Sequence, residues 1–225
     1  MKLSYLITVH NETDTLIRLL EKLVNNRADG DEIVIVDDYS DNPTTIKILT
    51  DVCKNPDVFV YLHKLDGDYG THKNFGNEKC TGDWVFQIDS DENPSDTLIF
   101  NIREIIETNL MMEMIYVPRI NDFRGVTTEH TKMWGWKLTT SPTCENRPIV
   151  NWPDYQSRIY KRDVNRIKWN RKLHETITGH SAYSFLPAQE ELALYHDKTI
   201  ETQIQTNLRY NKQFSEDDNK GHKIL

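Results

Sequence analysis

The first 120 residues alternate between short apolar runs and segments in which apolar residues recur at helical spacing. The apolar runs occupy residues 3–9, 32–38, 58–63, 83–89 and 113–120. The first intervening segment places leucines on one helix face, at positions 16, 19, 20 and 23. Repeated strand–helix–strand units favour a mostly parallel sheet with helices on both faces. We therefore predict an α/β, Rossmann-like fold made of a single domain.

The second half of the chain has a different character. Residues 121–153 show no clean periodicity, so we predict a long irregular segment there. Trp134, Trp136 and Trp152 lie within it. Aromatic rings stack on the apolar faces of sugars, but they also anchor loops to a core, and the sequence leaves both interpretations open.

Regular structure is predicted again after this segment. Strand-like runs occupy residues 157–161 and 191–196, and an amphipathic helix is predicted near residues 199–214. We expect the domain to span residues 1–214, with its first half ending near residue 120, and residues 215–225 to form a polar tail.

Composition excludes several classes of protein. The net charge of −8 argues against a nucleic-acid partner, because the phosphate backbone repels an acidic surface. Three cysteines without C-x-x-C spacing indicate a reduced protein rather than a disulfide scaffold or a zinc site. The sequence lacks a signal-peptide pattern and an apolar run of about 18 residues, so we predict a cytoplasmic protein without a transmembrane segment. Peripheral contact with a membrane stays compatible with the sequence.

Polar residues follow several of the predicted strands directly. Thr8 and His10 follow the first strand, Asp38 follows the second, and Asp89 and Asp91 follow the fourth. In open α/β sheets the ligand binds beyond the carboxyl ends of the strands. Asp89 and Asp91 are two residues apart, so they point the same way and offer hard oxygen ligands for Mg²⁺ or Mn²⁺. Such a metal can bridge to a diphosphate, although an acidic loop alone would show the same pattern.

Four segments, in order, resemble the inverting glycosyltransferases of family 2, which have the GT-A fold. They read TVHNE at 8–12, EIVIVDDYSDN at 32–42, THKNFGNEKCTGDWVFQIDSDE at 71–92, and WPDYQSRIYKR at 152–162 with KLHET at 172–176. The last segment is similar to the acceptor block of a subgroup that decorates lipopolysaccharide cores and related surface glycans. The resemblance covers roughly residues 3–196 and implies a nucleotide-sugar half followed by an acceptor half.

The resemblance implies a UDP-sugar donor and assigns residues to it. Asp38 would accept hydrogen bonds from the uracil or the ribose, and Thr8 and His10 would flank the same pocket, with His10 stacked on the base. Lys73 would direct positive charge toward the diphosphate. Asp89 would reach the ribose or the metal. The family carries an Arg-Asn pair where this chain has Lys73 followed by Asn74.

The resemblance also implies a Mn²⁺ or Mg²⁺ ion bound by Asp91, and a histidine would complete its protein ligands. Of the two candidates, His174 is favoured over His196. An inverting transfer further needs a carboxylate to take the proton of the acceptor hydroxyl. Asp154 is the first choice and Glu175 the second, although Pro153-Asp154 replaces the Glu-Asp pair of the family. The acceptor would be a hydroxyl of a glycan or a lipid-linked saccharide.

Two other functions are compatible with parts of this pattern. A nucleotidyltransferase also combines paired aspartates, a metal and an α/β sheet, but it needs a Gly- and basic-rich loop after the first strand, where this chain has HNETDT. A nucleotide-sugar or carbohydrate-binding module that has lost turnover is the other alternative. The presence of Asp89, Asp91 and Asp154 argues against it.

Overall fold

A computed structural model describes residues 1–141 and 144–215 of the chain. Its helices are α1 (Asp14–Asn26), α2 (Pro43–Val52), α3 (Tyr69–Lys79), α4 (Asp96–Thr108), α5 (Thr128–Trp134) and α6 (Ile200–Gln213). Its strands are β1 (Leu3–Val9), β2 (Glu32–Asp37), β3 (Val58–Leu62), β4 (Trp84–Asp89), β5 (Glu92–Pro94), β6 (Met114–Val117), β7 (Arg119–Arg124), β8 (Leu138–Thr140), β9 (Pro148–Val150), β10 (Gln156–Lys161), β11 (Lys168–Asn170), β12 (Thr176–Thr178), β13 (Tyr183–Phe185) and β14 (Leu194–Thr199). Most of the predicted tail, residues 216–225, lies outside the described residues.

The larger sheet has seven strands in the order β13-β6-β10-β4-β1-β2-β3. Strands β1 to β4 pair in parallel, and β10 inserts antiparallel between β4 and β6. β1, β2 and β4 are buried along nearly their whole length, as is typical of parallel strands covered on both faces. The predicted α/β class with a mostly parallel sheet is therefore confirmed.

A second sheet of five strands has the order β5-β14-β7-β9-β8. The predicted irregular segment at 121–153 is wrong, because most of β7 and all of α5, β8 and β9 lie within it. β7 shows no apolar pattern of a strand, because Asn121 and Asp122 within it are polar although they are buried. The predicted strand at 113–120 is in fact two strands, β6 and β7, separated at Pro118, which has no N–H for a strand ladder.

The leucine face of α1 packs into the main core. Leu16, Leu19, Leu20 and Leu23 are buried there against residues of β1, β2 and α4. Asp68 caps α3 by accepting a hydrogen bond from the Thr71 backbone N–H at 2.9 Å. This cap starts α3 early enough to place Lys73 in its second turn, buried beneath the carboxyl end of β4.

Among residues 1–141 and 144–215, the helices are too short or too polar to cross a bilayer.

Candidate active site

The carboxyl ends of the central strands meet at one edge of the larger sheet. Thr8 in β1 lies opposite Asp89 in β4, and Val9 lies opposite Asp37 in β2. Asp38 continues this line because its backbone N–H donates to the Val9 carbonyl at 2.9 Å. The predicted strand-end residues are therefore neighbours along one edge of the sheet, where open α/β sheets bind their ligands.

Asp89 lies between two cations. Its Oδ1 is 3.0 Å from the Lys73 ammonium and its Oδ2 is 2.7 Å from Nη2 of Arg158. Thr8 adds a hydrogen bond from Oγ1 to Oδ1 at 3.2 Å. Burial alone would raise the pKa of Asp89, but Arg158 and Lys73 together hold it well below its usual value. Asp89 is therefore a fixed negative charge at any physiological pH.

Lys73 is the buried centre of this side of the site. Its ammonium contacts Glu175 Oε1 at 2.6 Å as well as Asp89, and it lies 4.7 Å from the centroid of the Trp169 ring. Burial would lower the pKa of Lys73, but the two carboxylates raise it. Glu175 directly precedes β12, so the β11–β12 hairpin brings this carboxylate to α3.

A second ion cluster lies on the other side of Asp89. Arg158 contacts Glu92 Oε1 at 2.6 Å, and Arg119 contacts the same oxygen at 2.9 Å. Arg119 also donates to Asp154 Oδ2 from Nε at 3.0 Å and from Nη2 at 2.7 Å. Glu92 accepts a further hydrogen bond from the Asp89 backbone N–H at 3.2 Å. The cluster therefore joins Asp89 to Asp154 through alternating charges.

Asn121 connects Asp154 with a buried histidine. The Asn121 amide Nδ2 donates to Asp154 Oδ2 at 2.9 Å and to the Val150 carbonyl at 3.3 Å. These two acceptors orient the amide, so its Oδ1 faces His196 Nδ1 at 2.9 Å and accepts a hydrogen bond from that nitrogen. His196 Nε2 then carries a lone pair, and it lies 3.3 Å from Asp91 Oδ2.

Charge around Asp91 follows from the same geometry. Lys198 Nζ lies 2.8 Å from Asp91 Oδ2. Burial would raise the pKa of Asp91, but the Lys198 ammonium lowers it well below its usual value. Burial also lowers the pKa of His196, which favours the neutral ring, and the Nε2 lone pair of that ring can ligate a cation.

The two histidine candidates differ in the contacts of their rings. His196 is in β14 beside Asp91, whereas the ring centroid of His174 lies 6.5 Å from that of Tyr210 in α6. The geometry therefore favours His196 over His174, the histidine that the sequence favoured, as the partner of Asp91. The role of either histidine as a metal ligand stays a prediction.

The residues around Asp91 fit a divalent cation whose coordination shell is completed by atoms of the substrate. Asp91 offers carboxylate oxygen and His196 offers an imidazole nitrogen held in one tautomer by Asn121. Within residues 1–141 and 144–215, no group of three or more His, Cys, Asp or Glu side chains is arranged to hold a metal. A Mg²⁺-type site with few protein ligands takes its other ligands from phosphate and water.

The residues predicted to bind the nucleoside lie around Asp38. The Leu65 backbone N–H donates to Asp38 Oδ1 at 2.8 Å, and His10 Nδ1 lies 2.9 Å from the Asp38 carbonyl. The His10 side chain is half exposed, which leaves a ring face open beside this carboxylate. Asp37 is instead buried and accepts hydrogen bonds from the Ser40 backbone and hydroxyl, which is a structural role.

Sequence reasoning gave no role to Glu92, Arg119, Asn121 or Lys198. Glu92 follows Asp91 directly and could have been suspected from its position. Lys198 is two residues beyond His196 in a strand, so the two side chains share a face. Arg119 and Asn121 carry no such signal, because only the pairing of β7 with β14 brings Asn121 opposite His196.

The three tryptophans of residues 121–153 do not form one continuous surface. Trp134 is buried and its ring centroid lies 4.6 Å from that of Trp136, which in turn contacts Phe123 at 5.2 Å. Trp152 is partly buried against the small core cluster of Ile120 and Ile149. These contacts favour the interpretation that the rings anchor their loop.

We expect Glu92→Gln to destabilise the protein strongly. The substitution keeps the shape of the side chain but leaves Arg119 and Arg158 with one carboxylate fewer in a buried cluster. Removing one partner of a buried ion pair costs about 3 kcal/mol of unfolding free energy, which urea unfolding would measure. Asp51→Asn is the matched control, because Asp51 also pairs with two cations, Lys47 and Lys54, but on the surface. An equal effect of both substitutions would contradict the importance of the cluster.

His72 predicts a loss of stability at acid pH. His63 Nδ1 and His72 Nδ1 are 3.1 Å apart, so one of the two nitrogens donates a hydrogen bond to the other when both rings are neutral. Burial and the neighbouring His63 lower the pKa of His72 to about 4. The unfolded chain takes up the proton near pH 6.5 and the folded chain does not, so stability falls as the pH falls through this window. The expected loss between pH 7 and pH 5 is about 2 kcal/mol.

Urea unfolding of wild type and His72→Gln at both pH values tests this expectation. The variant has no imidazole at this position and should lose less stability on acidification. Equal losses in the two proteins would show that other groups control the acid sensitivity.

Comparison with known proteins identifies a family. The profile of glycosyl transferase family 2 matches residues 4–190. A relative from Rickettsia bellii (strain RML369-C), described as an uncharacterized glycosyltransferase, is 28% identical over 128 residues, which are 57% of this chain and 18% of that protein. A second, from Rickettsia felis (strain ATCC VR-1525 / URRWXCal2) and described in the same words, is 26% identical over 122 residues, 54% of this chain and 20% of that protein. The matches thus span about a fifth of each relative.

Solved structures share the fold. The crystal structure of S. aureus TarS 1-349 has a TM-score of 0.61 and 18% identity, and the match covers 88% of this chain and 60% of that one. The same protein in complex with UDP-GlcNAc gives 0.61 and 17%, covering 88% and 59%. Its complex with UDP gives 0.60 and 16%, covering 92% and 63%. Together with the sheet topology, these likenesses confirm the predicted GT-A fold.

Proposed function

This chain belongs to glycosyl transferase family 2, and we propose that it transfers a hexose from a UDP-sugar to an acceptor hydroxyl with inversion. The observation that carries the proposal is the convergence of Asp38, Asp89 and Asp91 at the carboxyl edge of the sheet. The complexes of TarS with UDP-GlcNAc and UDP add support for a uridine nucleotide. Family membership confirms the class of protein; the donor, the metal and the stereochemistry are our proposal.

Asp38, Thr8 and His10 would hold the nucleoside. The Asp38 carboxylate is fixed by the Leu65 N–H and has a second oxygen 3.4 Å from His10 Nδ1, so it is positioned to accept from the uracil or the ribose. The half-exposed His10 ring would stack on the base. Thr8 and Asp89, already joined by a hydrogen bond, would contact the ribose.

The diphosphate would lie beside Asp91, where Asp91 and His196 would hold Mn²⁺ or Mg²⁺. When bound, such an ion supplies positive charge that stabilises the departing UDP. Lys73 is buried between Asp89 and Glu175. Its positive charge would therefore attract the diphosphate at a distance and would not contact it.

The acceptor hydroxyl would attack the anomeric carbon from the face opposite the diphosphate. The new carbon–oxygen bond forms as the bond between the anomeric carbon and the phosphate oxygen breaks, and UDP leaves with that electron pair. Asp154 would take the hydroxyl proton. Its three side-chain donors, two from Arg119 and one from Asn121, all contact Oδ2, so Oδ1 is the oxygen we assign to the acceptor.

Glu175 is the second candidate for the base. Its Oε1 is held by Lys73 at 2.6 Å, which favours a role in fixing Lys73 or orienting the acceptor over one in accepting a proton. The acceptor itself would be a glycan or a lipid-linked saccharide, in keeping with the resemblance of WPDYQSRIYKR to the surface-glycan subgroup.

Thermal shift measurements test the donor site. UDP with Mn²⁺ or Mg²⁺ should raise the melting temperature more than GDP, CDP or TDP, because ligand binding to the native state stabilises it by mass action. EDTA should reduce the shift with UDP, and Asp38→Asn should reduce it with or without metal. The absence of a shift with every nucleotide would contradict the donor site and favour a module that binds carbohydrate without turnover.

Asp154→Asn should abolish transfer and leave UDP binding intact. The amide keeps its contact with Asn121 and Arg119 in part but cannot take a proton, so the expected fall in kcat is about 100-fold or more. Glu175→Gln is the matched variant. A larger loss in Glu175→Gln than in Asp154→Asn, with UDP binding unchanged in both, would move the base to Glu175.

A further inference from the structure

Lys198 is an ion-pair partner of Asp91 that the proposed transfer does not use. Its ammonium lies 2.8 Å from Asp91 Oδ2, and His196 Nε2 lies 3.3 Å from the same oxygen. Both side chains come from β14, two residues apart and therefore on one face. The Lys198 ammonium therefore lies beside the position that a metal ion bound to Asp91 would occupy.

The hydrogen bonds of His196 favour a cation at this position. The Nδ1–H of His196 donates to Asn121 Oδ1, so in the neutral ring Nε2 presents a lone pair to the carboxylate of Asp91. Two acceptor atoms that face each other repel unless a positive charge lies near both. Lys198 supplies that charge in the structure, and a divalent cation would supply it equally well.

The cations at Asp89 and at Asp91 differ in how firmly they are held. The side chains of Lys73 and Arg158 are 2% and 4% exposed and each contacts a second carboxylate, Glu175 or Glu92. The Lys198 side chain is 18% exposed, and its ion pair is with Asp91. A long, partly exposed side chain can swing toward solvent more readily than a buried one that bridges two anions.

We propose that Lys198 is an internal cation that occupies the metal side of Asp91 in the metal-free protein and leaves it when Mn²⁺ or Mg²⁺ binds. The inference rests on the proposed metal site. The displaced ammonium then lies at the edge of the diphosphate position and gains a phosphate partner there. Metal and UDP should therefore bind cooperatively, because a phosphate of the nucleotide replaces the Asp91 carboxylate as the ion-pair partner of Lys198.

Calorimetric titration of Mn²⁺ into the full chain tests the competition without relying on activity. Lys198→Met keeps the apolar stem and removes the charge, so Mn²⁺ should bind about tenfold more tightly than to wild type in the absence of nucleotide. UDP should improve Mn²⁺ affinity in wild type and improve it less in the variant. Circular dichroism melting would establish that the variant is folded.

Lys22→Met is the matched control. Lys22 forms an ion pair of 2.7 Å with Asp96, and its side chain is 19% exposed, so its length and exposure match those of Lys198 closely. It extends from α1 and also donates to the Pro94 carbonyl at 2.7 Å, and it forms its ion pair with Asp96 instead of Asp91. Its Mn²⁺ affinity should equal that of wild type.

A second measurement uses the wild-type protein alone. Acylation of lysine amines, read by mass spectrometry, should modify Lys198 faster in the presence of Mn²⁺ than in EDTA, because the ammonium has left Asp91. Lys22 should react at the same rate in both.

The outcomes separate the inference from the proposed function. Equal Mn²⁺ affinity in wild type and Lys198→Met, or unchanged labelling of Lys198, overturns the displacement and leaves the metal site standing. No Mn²⁺ binding by either protein, with or without UDP, removes the metal from the proposed function and the inference with it. Tight binding by Lys198→Met alone supports the inference in its strongest form.

Discussion

Arg158 lies where the two sheets meet the candidate site, and its two carboxylate contacts determine the arrangement around it. It reaches from β10 of the larger sheet to Asp89 at the end of β4 and to Glu92 in β5 of the smaller one. Arg119, from β7, extends the same chain of charges from Glu92 to Asp154. Arg158 and Glu92 are almost fully buried at the centre of this series, and buried charges are tolerable only when each has a partner. The proposed donor residue Asp89 and the proposed base Asp154 are therefore held relative to one another by ions rather than by a loop.

The parts of the fold that bury apolar side chains could be predicted from the sequence. The continuous apolar runs of β1, β2 and β4 and the helical spacing of the leucines in α1 are typical of the structures that these segments form. β7 could not be predicted in this way, since Asn121 and Asp122 are buried by virtue of partners far away in sequence. Strand ends revealed Asp89 and Asp91 because a parallel sheet exposes them at one edge. The partners of these aspartates come from β10 and β14, and no local pattern announces a pairing across more than 65 residues.

The charges of the site indicate how it would work on a substrate that is itself an anion. Asp89 and Asp91 stay ionised because Lys73, Arg158 and Lys198 lower their pKa values. A UDP-sugar adds negative charge beside them, so the buried cations and a bound metal ion would together offset it. Asn121 connects the two ends of the site by hydrogen bonds, since it links the proposed base Asp154 to His196 and so to the proposed metal ligand Asp91.

The most direct test of the account is proton NMR of a UDP-α-sugar incubated with the full chain and Mg²⁺. Water can take the place of the acceptor hydroxyl in slow hydrolysis, so this test needs no particular acceptor. The account predicts that UDP is released and that the free sugar first appears as the β-anomer, because the attack comes from the face opposite the diphosphate. First appearance of the α-anomer would contradict the proposed geometry around Asp154, and the absence of UDP release from every UDP-sugar would contradict the proposed transfer itself.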